Sequence, residues 1–208
     1  MALLDWMQEP AGPVVRAERI TLRPPRLSDH AAWAELRAES RDYLQPWEPT
    51  WPADDLSRAA FRRRLGVYVR EMELQNAFPF FVFPTEPDGR EGPLAGAITL
   101  SNIRRGVAET GQLGYWIGER FAGRGLATAA VRAIAGFAFG QLKLHRLEAA
   151  CVPENDRSRR VLEKAGFTHE GRARAYLKIN GGWADHLLFG LVEDEYAAGG
   201  RRPSGEGA

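Results

Sequence analysis

Apolar residues recur along this chain with two different spacings, which predict an alternation of strands and helices. Period-two or continuous apolar runs, typical of strands, occupy residues 19–22, 79–85, 94–102, 109–117, 147–151, 168–176 and 183–191. Spacings of three and four, typical of helices, occupy residues 29–39, 56–75, 126–142 and 158–165. The predicted element order is therefore β α α β β β α β α β β.

Turn residues separate these segments and set their pairing. Turn chemistry at residues 86–89 predicts an antiparallel hairpin between the second and third strands, and Asn180-Gly181 predicts another between the last two. Gly166 stands where a helix C-cap glycine is expected. Three prolines within residues 43–52 predict a loop without regular structure, and its aromatic residues indicate that it is packed.

The pattern contains no linker or repeat, so one domain is predicted over residues 16–195. Residues 1–15 are expected to form an irregular extension, and residues 196–208, rich in Gly, Arg and Pro, a disordered tail. The net charge of +1 indicates neither a nucleic acid nor an anionic membrane as a partner. No apolar run approaches the ~20 residues that a membrane-spanning helix needs. With no signal peptide and one cysteine, Cys151, a cytoplasmic protein is expected.

The most informative stretch is a strand, a glycine turn and a long helix at residues 113–139. Gly123 and Gly125 flank Arg124 immediately before the helix begins at Leu126. The first N–H groups of a helix lack internal partners, and glycine allows a ligand to approach the backbone closely. Together with Arg120 and Arg124, this turn predicts a site for a phosphate or pyrophosphate; the alternative is an ordinary strand–helix connection.

Two motifs, in order, resemble one family. Arg120-x-x-Gly123-x-Gly125 fits the pattern [Q/R]-x-x-G-x-[G/A], and Asn155-x-x-Ser158 precedes the letters LEKAGF at residues 162–167. Both resemble the acetyl-CoA site of the GCN5-related N-acetyltransferase (GNAT) family. Residues 43–52 and 180–186 resemble its RimJ/RimL branch, enzymes that acetylate the N-termini of ribosomal proteins.

The resemblance implies an α/β fold of the GNAT type, a mixed and mostly antiparallel sheet that splays at its middle and is flanked by helices. It implies acetyl-CoA as co-substrate and no metal; His145 and His186 also lack ligand spacing. The pantetheine arm is expected along the strand that ends at residues 116–117, with an N–H near Ile117 supporting the thioester oxygen. The expected cofactor-binding residues are Trp116, Ile117, Arg120, Gly123, Arg124, Gly125, Leu126, Ala127, Thr128, Asn155 and Ser158.

The resemblance also suggests catalytic roles. Ser158 is expected near the sulfur, as a proton donor to the leaving thiolate; the family's tyrosine acid is absent from the positions that follow it. Capping of the helix is the alternative role for Asn155 and Ser158. Glu109 and Glu148 are candidate general bases, with a structural role as the alternative for each. An α-amine, with a pKa near ~7.8 against ~10.4 for lysine, needs only a weak base.

The predicted function is transfer of an acetyl group to a primary amine. The preferred acceptor is the N-terminal α-amine of a ribosomal protein. A small amine or antibiotic as acceptor, and a non-catalytic acyl-CoA sensor, are the alternatives. A dinucleotide oxidoreductase fits poorly, because five residues separate the glycines from their strand and Thr128 replaces the third small residue. The loop at residues 43–52 is either pinned to the core or a wall of the acceptor site. The oligomeric state stays open, with a homodimer as one alternative.

Overall fold

The computed structural model describes residues 12–17 and 19–198. Its eight strands form one sheet in the order β1-β2-β3-β4-β5-β6-β8-β7. All neighbours are antiparallel except β5 and β6, which are parallel. The strands are β1 Val15–Ala17, β2 Ile20–Arg23, β3 Phe78–Pro84, β4 Gly96–Arg104, β5 Thr110–Ile117, β6 Arg146–Cys151, β7 Thr168–Ile179 and β8 Gly182–Val192.

Helices cover both faces of this sheet. Side chains alternate across a strand, so Phe80 and Phe81 of β3 point to opposite faces. The Phe80 ring lies 5.7 Å from that of Phe137 in the long helix Leu126–Gly140, whereas the Phe81 ring lies 6.3 Å from that of Phe61 in the helix Arg58–Glu73. The helices are α1 His30–Glu39, α2 Arg41–Leu44, α3 Arg58–Glu73, α4 Leu126–Gly140, α5 Asp156–Ala165 and α6 Glu193–Ala198. Among the described residues, no helix has the length and apolar character needed to cross a membrane.

The structure confirms the predicted mixed sheet, its seven strands and the four longer helices, with ends that shift by a few residues. Both predicted hairpins are present as antiparallel pairs. Asn180 and Gly181 have φ angles of 45° and 86°, the left-handed geometry that a tight two-residue hairpin turn requires. Gly166, at φ 100°, ends α5 as predicted.

Three expectations need correction. Val15 was expected to be part of an irregular extension, but it lies in a short edge strand, β1, which pairs with β2. Residues 43–52 were expected to lack regular structure, but the end of α2 and a 3₁₀ turn, Gln45–Trp47, lie in that segment. Pro46 is tolerated there because it falls within the first two positions of the turn, where a backbone N–H donor is not needed.

The third correction concerns the tail, expected to be disordered from residue 196. Helix α6 includes residues 196–198, because Tyr196 is 8% exposed and packs on Phe139 at 5.3 Å. The rest of the expected tail, 199–208, and residues 1–11 of the expected extension lie outside the described residues. The domain limits 16–195 stay a prediction.

The parallel pairing between β5 and β6 ends before the strands do. Paired positions run from Thr110 with Arg146 to Leu113 with Ala149, and β5 then continues unpaired on this side to Ile117. The sheet therefore splays at its middle, as the resemblance implied. On its other edge β5 stays paired with β4 up to Ile117, which lies opposite Gly96.

We expect Gly96→Ala to destabilise the protein, because a Cβ at Gly96 would lie 2.9 Å from Cα of Ile117. The strand β5 would have to move away from β4, at a cost of about 1–3 kcal/mol in the free energy of unfolding. Urea denaturation followed by circular dichroism measures this loss. The matched control is Gly66→Ala on the exposed side of α3, where a Cβ would meet no heavy atom within 4 Å apart from the helix's own backbone, and a gain of up to ~1 kcal/mol is expected. Equal stabilities for the two variants would contradict the close approach.

Candidate active site

A cleft of about 1010 Å³ opens where β5 and β6 part. Its walls are the ends of these two strands, the N-terminal turns of α4 and α5, the end of β7, and part of residues 43–52. Nine of the predicted site residues line it: Trp116, Ile117, Gly123, Gly125, Leu126, Ala127, Thr128, Asn155 and Ser158. The splayed sheet thus brings together two motifs that are 30 residues apart in the chain.

One end of the cleft is formed by the start of α4. Gly123 and Gly125 have φ angles of 75° and 78°, which side chains rarely adopt, and Gly125 is the N-cap of the helix. The first internal bond of the helix runs from Ala129 N to Gly125 O. The preceding amides, including those of Ala127 and Thr128, are free to bind a ligand anion at the positive end of the helix dipole.

The side chains of the two arginines of this motif contact other side chains of the protein. Arg120 forms an ion pair with Glu39 at 3.0 Å, and the guanidinium of Arg124 lies 5.4 Å from the Phe121 ring centroid. Neither side chain lines the cleft.

Positive charge at the cleft comes instead from α5, through Arg157, Arg160 and Lys164, which all line it. These three residues were not among the predicted site residues. Their spacing of three and four, one face of a helix, was the available signal.

Asn155 and Ser158 begin α5 and contact each other. Ser158 N donates to Asn155 Oδ1 at 3.0 Å, so the capping role considered for Asn155 is confirmed. Both residues also line the cleft, so capping fixes the position of the Ser158 side chain there.

Tyr115 is the cleft residue of greatest chemical interest that the sequence analysis missed. Its hydroxyl lies 2.8 Å from Ser158 Oγ and 3.3 Å from Ser158 O. Burial raises the pKa of Tyr115, an effect that its hydrogen bond to Ser158 opposes, so the phenol stays protonated at neutral pH. A tyrosine acid was expected only on α5, whereas Tyr115 reaches Ser158 from β5.

The two candidate bases lie outside the cleft. Glu109 precedes β5, about 26 Å from Ile117 at ~3.3 Å per residue, and accepts hydrogen bonds from Arg105 and the Gly106 amide. Glu148 stands opposite Gln112 in the paired part of β6 and forms an ion pair with Arg146 at 3.2 Å. The structure therefore favours the structural alternative for both carboxylates.

Residues 43–52 are held to the fold, and part of them lines the cleft; their role as a wall of the acceptor site stays a prediction. The Glu48 carboxylate accepts two hydrogen bonds from Arg37, each of 2.8 Å, and one from Trp51 Nε1. Glu48 O accepts from Asn180 N, which ties this segment to the β7–β8 turn. Since Trp47 and Glu48 also line the cleft, the segment is both held to the fold and part of the cleft wall.

Cys151 also lines the cleft, at the end of β6. Its side chain is buried, and this burial raises the pKa of the thiol to about 11; a hydrogen bond with Ser158 opposes the shift. At neutral pH it is therefore a protonated thiol in the cleft wall.

Residues 19–168 match the family described as Acetyltransferase (GNAT) domain, so the chain belongs to the GNAT acetyltransferases. A probable N-acetyltransferase of Bacillus subtilis, YjcK, is 35% identical, over 88% of this chain and 98% of that one. The [ribosomal protein uS5]-alanine N-acetyltransferase of Escherichia coli is 34% identical, over 90% of this chain and 95% of that one. The structure of Mycobacterium smegmatis RimJ in complex with CoA-disulfide matches 92% of this chain and 96% of that one, with 32% sequence identity and a TM-score of 0.79. The predicted family and its RimJ/RimL branch are thereby confirmed.

We expect Cys151 to react slowly with iodoacetamide, because only the thiolate reacts and its pKa is about 11 rather than 9.0. At pH 7.5 the rate should be at least ~100-fold below that of a thiol with the ordinary pKa, and should rise with pH up to about 11. Mass spectrometry of the intact chain gives the rate directly, since Cys151 is its one cysteine. Reaction as fast as that of glutathione, measured in parallel, would contradict the burial of Cys151.

Proposed function

We propose that this protein transfers the acetyl group of acetyl-CoA to the N-terminal α-amine of a protein, in a complex that holds both substrates at once. The observation that carries the proposal is the cleft itself, where the amides at the start of α4 and the Ser158 hydroxyl face one space at the unpaired end of β5. The E. coli relative, which acts on alanine of ribosomal protein uS5, supports a ribosomal protein as acceptor. A ribosomal substrate would place the reaction in the cytoplasm.

In this proposal the amides of residues 123–128 bind the pyrophosphate of acetyl-CoA. The basic side chains of Arg157, Arg160 and Lys164 on α5 supply the positive charge for its remaining phosphate. The similar RimJ structure, which is in complex with CoA-disulfide, supports coenzyme A as a ligand of this fold.

The pantetheine arm would pair with the unpaired edge of β5. The Gly118 amide donates to Ala95 O on the β4 side, and successive N–H groups of a strand point to opposite edges. The Ile117 N–H therefore faces the open edge, where it can donate to the thioester oxygen as that oxygen gains charge. One such donor typically contributes about 3 kcal/mol to lowering the barrier.

The proton steps then follow from the side chains at the other end of the cleft. The neutral amine attacks the thioester carbon, the C–S bond breaks, and the leaving thiolate takes a proton from Ser158 Oγ. Tyr115, which is hydrogen-bonded to that oxygen and protonated, replenishes the proton of Ser158. The proton that the attacking nitrogen loses as the amide forms returns to Tyr115 through water, so the pair ends the reaction protonated. Glu109 and Glu148 have no role in this scheme, because roughly a tenth of α-amines with a pKa of ~7.8 are already neutral at pH 7.

We expect saturating acetyl-CoA to raise the melting temperature and NAD to leave it unchanged. A ligand at ~100 times its dissociation constant adds ~2.7 kcal/mol, which corresponds to roughly 5–10 °C for a chain of this size. Differential scanning fluorimetry gives the shift. Mass spectrometry of a peptide with a free N-terminus, incubated with acetyl-CoA, then detects transfer. A rise with acetyl-CoA without transfer to any amine would favour the acyl-CoA sensor, and no rise at all would refute the cofactor site.

We expect Ser158→Ala to lower kcat by roughly 10²-fold and Tyr115→Phe to lower it less, with the Kd of acetyl-CoA nearly unchanged, because a proton donor acts only in the transition state. Stopped-flow detection of released CoA gives kcat, and isothermal calorimetry gives Kd. The matched control is Ser101→Ala on β4, whose hydroxyl bonds the Gln112 carbonyl and whose loss should leave kcat unchanged. An unchanged kcat in both site variants would exclude this pair as the proton donor.

A further inference from the structure

One segment of the chain, residues 39–48, contacts both sides of the cleft, and we call it the bridging segment. Its first end is fixed to the 3₁₀ turn that directly follows β5. There Glu39 forms an ion pair with Arg120 at 3.0 Å, and Ser40 Oγ accepts a hydrogen bond from Glu119 N at 3.0 Å. The bridging segment therefore begins on the β5 side of the cleft.

The rest of the bridging segment contacts elements on the β6 side. The guanidinium of Arg157 on α5 lies over the Tyr43 ring, 5.0 Å from its centroid. At the last residue of the segment, Glu48 O accepts a hydrogen bond from Asn180 N at 2.8 Å, in the turn between β7 and β8. The two strands that part within the sheet are thus joined again outside it.

The contact between Tyr43 and Arg157 differs from the contacts at the two ends of the segment. Both side chains line the cleft, and Arg157 is exposed while Tyr43 is half-buried. A cation–π contact at an exposed site is weak, and side chains at the surface rotate within nanoseconds. The two side chains can therefore separate and meet again while the hydrogen bonds at both ends of the segment persist.

The position of this contact matches the path of the coenzyme under the proposed function. In that proposal the coenzyme runs from the glycine turn before α4, along β5, to Ser158. Arg157 directly precedes Ser158 on α5, and Tyr43 belongs to the helix α2, which begins beside the turn after β5. The contact therefore lies beside the stretch of the cleft in which the pantetheine arm is expected.

We infer that Tyr43 and Arg157 form a clasp that closes the cleft over the pantetheine arm, so that acetyl-CoA enters and leaves while the two side chains are apart. This inference rests on the proposed function, because it takes acetyl-CoA as the ligand of the cleft. The face of the guanidinium contacts the ring, and its N–H donors lie at the edge. Arg157 can therefore hold a phosphate of the coenzyme and the Tyr43 ring at the same time.

A clasp and an ordinary ligand contact have different kinetic consequences. Loss of an ordinary contact raises koff and Kd by the same factor and leaves kon unchanged. A clasp that closes in the free protein as well as in the complex slows both directions, because ligand exchange is proportional to the fraction of molecules in which it is open. Its loss raises kon and koff together and changes Kd little.

The test is Tyr43→Leu, which removes the ring face and keeps an apolar side chain. Stopped-flow tryptophan fluorescence gives both rate constants for acetyl-CoA, since Trp47 and Trp116 line the cleft. We expect kon and koff each to rise roughly two- to fivefold, the factor to which an exposed cation–π contact corresponds, with Kd within about twofold of its original value. The matched control is Tyr43→Phe, which keeps the ring face and should leave both rate constants unchanged.

A second variant tests the same contact in the opposite direction. Tyr43→Trp offers the aromatic face that binds a cation most strongly, so both rate constants should fall. Melting curves without ligand show whether each variant is folded, and Tyr43→Trp carries the test if Tyr43→Leu is not. Unchanged rate constants in the folded Leu and Trp variants would overturn the clasp. A rise of koff alone in Tyr43→Leu, with an equal rise of Kd, would make Tyr43 an ordinary contact and would also overturn it.

The outcomes separate this inference from the proposed function. Binding of acetyl-CoA and transfer to a peptide by the unaltered protein, with rate constants that the substitutions at Tyr43 do not change, would refute the clasp and leave the proposed function standing. Failure of the unaltered protein to bind acetyl-CoA would refute both.

Discussion

The early end of the pairing between β5 and β6 is the constraint on which the rest of the site depends. A sheet normally satisfies its backbone N–H and C=O groups between neighbouring strands, yet here the two central strands separate after Leu113 and Ala149. The other edge of β5 remains bonded to β4, where Gly96 permits the close approach of Ile117. A strand held on one edge and open on the other can bind an extended ligand as a further strand would be bound.

The N-termini of two helices, α4 and α5, also lie at this opening. Helix α4 begins after β5 and α5 begins after β6, so both N-termini lie at the end of the sheet where the strands part. Backbone amides and the positive ends of the dipoles of α4 and α5 therefore lie around the cleft, independently of the side chains. The basic side chains of α5 add charge to this arrangement, and the burial of Tyr115 keeps a proton next to Ser158.

The segment that carries Glu48 lines the cleft and is held in place by hydrogen-bond donors from three residues. Arg37 of α1 binds its carboxylate with two hydrogen bonds, Trp51 binds one of the same oxygens, and the Asn180 amide binds its backbone carbonyl. A two-pronged arginine–carboxylate contact of this kind fixes orientation as well as distance. Residues without regular structure thereby form a defined wall, and the charges that hold the wall are already neutralised by each other.

The sequence by itself determined the features that depend on local chemistry: strand and helix segments, the two hairpin turns, the glycine turn before α4, and the cap formed by Asn155. It also carried the two motifs that identify the family, because each is a short run of residues close together in the chain. Tertiary structure alone decided which side chains meet. Arg120 forms an ion pair with Glu39, Glu109 precedes β5, and Glu148 lies in the paired part of β6. Tyr115 reaches Ser158 from another element. Periodicity gives the face of a strand on which a residue lies, but not its distance from a site that is formed only when strands separate and distant helices pack against them.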